Sequence, residues 1–243
     1  MPNLQIPADD GRHFDAYVAL PAGTGLGPGL VLLQYICGVN QVMRALADGF
    51  ARLGYVVLVP DLYWRQGANI VLIDDPSRPD AKEQARALEL NNAFDDAAAS
   101  RDLQASLSLL RGHARCDGRV GALGYCLGGR LAYLMATRTD VDCAVGYYPV
   151  NLQNYLEEAG RITRPLMLHM AAQDMLVPEP VREQICQALN ESPQVDIRIH
   201  PGVNHAFALP GGPNFSAEAA KSANTASEAF LARHLPQGPA ATA

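Results

Sequence analysis

Residues 119–137, RVGALGYCLGGRLAYLMAT, constrain the fold of this chain more than any other segment. An apolar run at 119–124, of the kind buried on both faces of a parallel sheet, is followed almost at once by a helical pattern at 127–137. Between them Cys126 stands two residues after Gly124 and two before Gly128, a strand–turn–helix of the form G-x-C-x-G. A turn this tight leaves no room for a Cβ at the positions two before and two after its apex. It also holds the apex residue in a strained backbone conformation. The turn lifts the thiol clear of the sheet at the C-terminal edge of its strand. There it meets the positive N-terminal end of the following helix, which favours a thiolate.

The rest of the chain supplies the sheet that such a turn requires. Residues 1–20 alternate about Asp9-Asp10-Gly11-Arg12 and read as an edge hairpin. Further strands are expected at 29–34, 55–60, 141–147, 165–171 and 195–200. Helices are expected at 41–53, ending at Gly54, and at 181–189 and 216–235, with a long helical stretch over 80–112 broken near Asn91-Asn92. Residues 61–82 read as loop, and there is no internal repeat. Strands alternating with helices predict an α/β chain: a mostly parallel twisted sheet with helices on both faces. Its 243 residues fit one domain over 1–235, followed by a tail, PQGPAATA, at 236–243.

Composition narrows the partners. With 49% apolar and 18% charged residues the chain has ample material for a core, which excludes a disordered polyelectrolyte. A net charge of −6 argues against a nucleic-acid or anionic-membrane partner, either of which calls for a basic patch. No apolar run approaches the roughly 18 residues of a membrane span, and MPNLQIPADDGR has no signal-peptide pattern. Five scattered cysteines without a CxxC argue against a disulfide framework or a zinc knuckle and point to the reducing cytoplasm. No metal and no cofactor are expected. Cys37 differs from the remaining three because its loop is expected near the turn.

A thiol nucleophile needs an imidazole within reach and a carboxylate to hold that imidazole in one tautomer. Behind a turn of this kind they follow in the order acid, then histidine. Of the downstream histidines, His169 lies inside an apolar run, His200 ends a strand and His234 lies near the end of the last helix. His205, in Gly202-Val-Asn-His205-Ala-Phe207, sits in the loop between the last strand and the last helix and is the expected base. Asp174 follows the 165–171 strand directly and is the expected acid. Glu179 is its nearest rival, and Asp140 and Asp142 come too early.

These motifs, together with Gly38-Val39-Asn40, Pro60-Asp61-Leu62-Tyr63 and Val145-Gly146-Tyr147-Tyr148, resemble the dienelactone hydrolase (carboxymethylenebutenolidase) family over about residues 5–235. The resemblance implies a single-domain α/β-hydrolase fold and hydrolysis of a lactone or enol ester through an acyl-enzyme. It maps a triad onto Cys126, His205 and Asp174, and an oxyanion hole onto the backbone N–H groups of Ile36 and Leu127. It implies a small-molecule lactone or ester as partner, and a monomer or homodimer.

Three departures reshape the expected pocket. Tyr35 stands where the family carries a glutamate that helps ionise the thiol, and with a reference pKa near 10 it cannot serve as a carboxylate. Thiol activation then rests on His205 and the helix end, or Tyr35 takes another role. Where the family binds a substrate carboxylate with two arginines, this chain has Lys82, with Arg86 one turn on, and Leu209. Pro149 follows the paired tyrosines, of which Tyr148 is a candidate pocket wall. Two other readings compete. A glutamine amidotransferase shares G-x-C-x-G but requires H-x-E, and no H-x-E follows Cys126. A non-catalytic or redox-sensing relative of the same fold would explain the missing glutamate and arginine.

Overall fold

The computed structural model describes residues 3–78 and 80–236. Two strands, β1 (Asn3–Pro7) and β2 (His13–Ala19), form the antiparallel hairpin at one edge. The apolar runs become β3 (Gly27–Leu33), β4 (Val56–Pro60), β5 (Cys116–Tyr125), β6 (Ala144–Tyr147), β7 (Leu166–Ala171) and β8 (Val195–His200). They lie in one sheet in the order β1-β2-β4-β3-β5-β6-β7-β8, and every pairing from β4 to β8 is parallel. Every residue of β3, β4, β6 and β7 is buried, as strands covered on both faces must be.

The covering helices are α1 (Gln41–Arg52), α2 (Ala81–Asn92), α3 (Asp96–Arg111), α4 (Leu127–Arg138), α5 (Glu179–Leu189) and α6 (Ala217–His234). Gly121 and Gly124 lie an odd number of residues apart on β5 and so point to opposite faces. A Cβ on Gly121 would meet Leu235 at the end of α6, whereas one on Gly124 would meet Gly128 of α4. The sheet is therefore covered on both sides. The expected break at Asn91-Asn92 separates α2 from α3, and Asp95 starts α3 by accepting from the Ala97 and Ala98 N–H groups. The sequence reading missed a 3-10 segment, Leu152–Arg161, entered through a left-handed Asn151 and interrupted at Tyr155. A 3-10 segment lacks the 3.6-residue period by which helices are read. Of the expected tail, all but Pro236 falls outside the described residues.

Behind β6 and β7 a buried polar chain ties the sheet to α6. Tyr147 Oη donates to Asn224 Oδ1 at 3.0 Å, so Ser227 Oγ, 2.7 Å away, donates to Tyr147. Ser227 in turn accepts from His169 Nε2 at 2.9 Å, which leaves His169 Nδ1 to accept from His200 Nε2 at 3.0 Å. Both rings are neutral in this arrangement. Burial, reinforced by repulsion from Arg198 and from any proton on His200, pulls the His169 pKa from 6.5 down to about 3. As pH falls below about 6.5 the unfolded chain binds a proton at this position that the folded chain refuses until about pH 3. The stability difference is fully present above that window and is lost through it, on the order of 5 kcal/mol at most. Urea midpoints are expected to fall between pH 7 and pH 4, and to fall less in His169→Gln, whose amide does not titrate. An equal fall in both proteins would contradict this.

Candidate active site

β5 ends at Tyr125, and Cys126 forms the turn into α4 with φ 57° and ψ −112°. A non-glycine residue in that region stores about 1–3 kcal/mol of strain, which the surrounding packing must hold. The packing is tight enough. A Cβ on Gly124 would lie 2.2 Å from the Gly128 carbonyl oxygen, and one on Gly128 would lie 2.3 Å from the Leu33 oxygen. The Cys126 N–H donates to Tyr147 O at 3.0 Å, locking the turn to β6. Leu127 begins α4, where the first N–H groups of a helix have no intrahelical acceptor. The Ile36 carbonyl accepts from the Tyr63 hydroxyl at 3.1 Å, and Ile36 lines the same cavity as Cys126.

Asp174 and His205 arrive on the loops after β7 and β8. His205 Nδ1 lies 2.9 Å from Asp174 Oδ2. The other carboxylate oxygen accepts from the Leu176 and Val177 N–H groups at 2.9 and 3.2 Å, so the acid is held by its own loop. Asn204 ties the two loops together: its Oδ1 accepts from the Met175 and His205 N–H groups at 3.0 and 2.7 Å. His205 Nε2 is buried and makes no hydrogen bond of ordinary geometry among the described residues. Burial disfavours the charged ring, but the Cys126 charge and the bond to Asp174 outweigh it and raise the pKa to about 10. Glu179, the rival acid, lies at the start of α5 and reaches Arg182 instead.

Cys126 and His205 open onto a cavity of about 530 Å³. Tyr35, Ile36, Tyr148 and Leu209, all expected near the site, line it. Tyr148 stacks edge-on against His205 with ring centroids 5.0 Å apart, and its buried hydroxyl has no partner among the described residues. Tyr35 Oη accepts from Asn40 Nδ2 at 2.5 Å and donates to Cys37, so its hydroxyl is occupied by its own loop. Burial raises the Tyr35 pKa further above the usual tyrosine range, and the phenol stays neutral.

Lys82 and Arg86 require a correction. Neither lines the cavity; Gln84 and Leu88 do. Residues two apart on a helix point to nearly opposite sides, so Lys82 and Arg86 lie across α2 from Gln84 and Leu88, the residues that border the cavity. Both are exposed, and Arg86 pairs with Glu89 on the surface.

A model of the dienelactone hydrolase family matches residues 14–235. The chain belongs to the dienelactone hydrolase family. This family member is 44% identical over 239 residues to a protein of Azospirillum brasilense, covering 97% of this chain and 100% of the relative. It is 37% identical over 229 residues to the carboxymethylenebutenolidase of Pseudomonas putida, covering 94% and 95%. A crystal structure from Klebsiella pneumoniae aligns with a TM-score of 0.82 at 26% identity, covering 95% of this chain and 97% of the other. The protein is thus a lactone/ester hydrolase of the α/β-hydrolase fold.

Other walls of the cavity were not legible in the sequence. Ile73 comes from the 61–82 loop, which is pinned to the Tyr35–Asn40 loop by Leu72 N donating to Cys37 O at 3.0 Å and by Asn40 Nδ2 bonding Leu72 O and Ile73 O. Met175 and Leu176 are exposed apolar residues beside the acid, a pairing of position and exposure that marks a cavity rim. Among the described residues no cluster of His, Cys, Asp or Glu could hold a metal ion, and no helix is long and apolar enough to cross a membrane.

Proposed function

We propose that this hydrolase opens a lactone or enol ester with Cys126 as nucleophile, His205 as base and acid, and Asp174 as the group that orients His205. What supports the reading is His205 held through Nδ1 by Asp174 and close enough to Cys126 to feel its charge, in a cavity that both residues line. The thiolate attacks the carbonyl carbon, and the oxygen that becomes anionic meets the Ile36 and Leu127 N–H groups. As the tetrahedral adduct collapses, the ester oxygen leaves and takes the proton from His205 Nε2, leaving a thioester on Cys126. In a lactone that oxygen stays tethered as the enol or alcohol of the same molecule. Neutral His205 then takes a proton from water, hydroxide adds to the thioester, and the acid departs as Cys126 and His205 return to their paired state.

The other four cysteines are poor candidates for this role. Burial raises the Cys37 and Cys143 pKa values to about 12, and it also raises those of Cys116 and Cys186. Tyr148, its pKa lifted well above the usual range by burial, stays protonated and offers its hydroxyl to the substrate. Tyr35 and Leu209 act as walls, and the replacement of a carboxylate by Tyr35 leaves ionisation of the thiol to His205 and the end of α4. The test is hydrolysis of a panel of enol lactones and aryl esters by wild type and Cys126→Ala. Equal activity in the two proteins would contradict the reading.

A further inference from the structure

We propose, resting on the catalytic reading above, that the cavity accepts neutral, apolar esters or lactones and discriminates against substrates that carry a carboxylate. Among the described residues no Lys or Arg lines it, and no Lys or Arg stands in the sequence outside the described residues. The cations nearest in the chain, Lys82 and Arg86, lie on the solvent side of α2. The charges anchored beside the cavity wall are negative. Asp74 Oδ1 accepts from the Gln41 N–H at 2.8 Å, and Glu83 Oε2 accepts from the Ile73 N–H at 2.8 Å. Both are felt at the site: Asp74 disfavours negative charge on Tyr35, and Glu83 disfavours it on Cys37.

A substrate carboxylate entering here would lose water against leucines and tyrosines and find no cation except His205, whose charge Asp174 and Cys126 already offset, an unfavourable way to bury an ion. An apolar substrate meets the opposite situation. Leu88, Met175 and Leu176 border the opening at 54%, 71% and 58% exposure, an apolar rim that covering by a substrate would remove from water. Inside, the Tyr148 hydroxyl supplies one uncharged hydrogen bond for an ester or ether oxygen. One neutral polar contact within an apolar cavity is what an uncharged ester requires.

The experiment compares kcat/KM at pH 7 for three 4-nitrophenyl esters: the pentanoate, the hemiglutarate that replaces its terminal methyl by a carboxylate, and the methyl glutarate that masks that charge. Both neutral esters are expected to exceed the hemiglutarate by at least ~10-fold. Leu88→Arg, a change at an exposed rim position, is expected to narrow the gap at least ~3-fold by supplying the missing cation. A hemiglutarate turned over as well as the neutral esters by wild type would overturn the proposal, as would a gap unchanged in Leu88→Arg. Turnover that is the same in Cys126→Ala as in wild type is a different failure, because it would remove the catalytic reading itself.

Discussion

Cys126→Ala is expected to lower kcat on any enol ester or lactone by about 10⁴-fold or more, while leaving the unfolding midpoint near that of wild type. The magnitude follows from what the substitution removes. Without Sγ there is no acyl-enzyme, and what remains is positioning by the cavity and the two N–H groups of Ile36 and Leu127, which in comparable hydrolases sustains only a small residue of the rate. The fold is spared because the change deletes one atom at an apex whose backbone strain, at φ 57°, a Cα–Cβ bond experiences equally in either residue. Steady-state kinetics with a urea titration as control separates the outcomes. A fall of less than about 10-fold would assign the nucleophile elsewhere.

Gly128→Ala is expected to be at least as damaging, through stability. An added Cβ would lie 2.3 Å from the Leu33 oxygen and 2.8 Å from the Gln34 oxygen, both backbone atoms of the strand end leading into Tyr35 and Ile36. Backbone cannot rotate away as a side chain can, so α4 must move off β3, carrying Cys126 and Leu127 away from Ile36. Overpacking of this kind costs roughly 3 kcal/mol or more, and the displaced donors would also lower kcat in whatever protein folds. Gly160→Ala provides the contrast, because a Cβ there meets nothing within 4 Å. It is expected to change stability by no more than about 0.5 kcal/mol. Near-native stability and activity in Gly128→Ala would refute the packing argument for the turn.

The turn itself was readable in the sequence for the same reason that it is fragile. A backbone that approaches within Cβ distance of another backbone admits only glycine, so Gly124 and Gly128 record the contact in one dimension. Strands and helices were readable wherever one period held over their length, as in β3 and α4, and the break before α3 was marked by Asn91-Asn92. The 3-10 segment at Leu152–Arg161 has no such period and passed unseen. His205 and Asp174 could be singled out because position after a strand end narrows the choice to a few residues. The cavity walls resisted because they depend on where loops are tied. Ile73 reaches the cavity through bonds to Cys37 and Asn40 that no local pattern announces. Lys82 and Arg86 were expected at the cavity from the family resemblance alone, whereas both side chains are exposed and neither lines it.

Tyr35 is tied up within its own loop. Its position next to the nucleophile loop left open a part in ionising the thiol. Its hydroxyl is instead committed to Asn40 and Cys37, and its ionisation is pushed further out of range by burial. In the mechanism proposed above, ionisation of the thiol then falls to His205 and the helix end.

The proposed mechanism passes through a covalent thioester on Cys126, which intact-mass spectrometry of enzyme quenched in acid during turnover detects. With an activated enol ester the account predicts one acyl group per chain, mapped by peptide digestion to Cys126 and absent from Cys126→Ala, decaying at the rate of turnover once substrate is spent. An adduct on another residue, or turnover with no acyl-enzyme formed at any time point faster than the steady state, would contradict it.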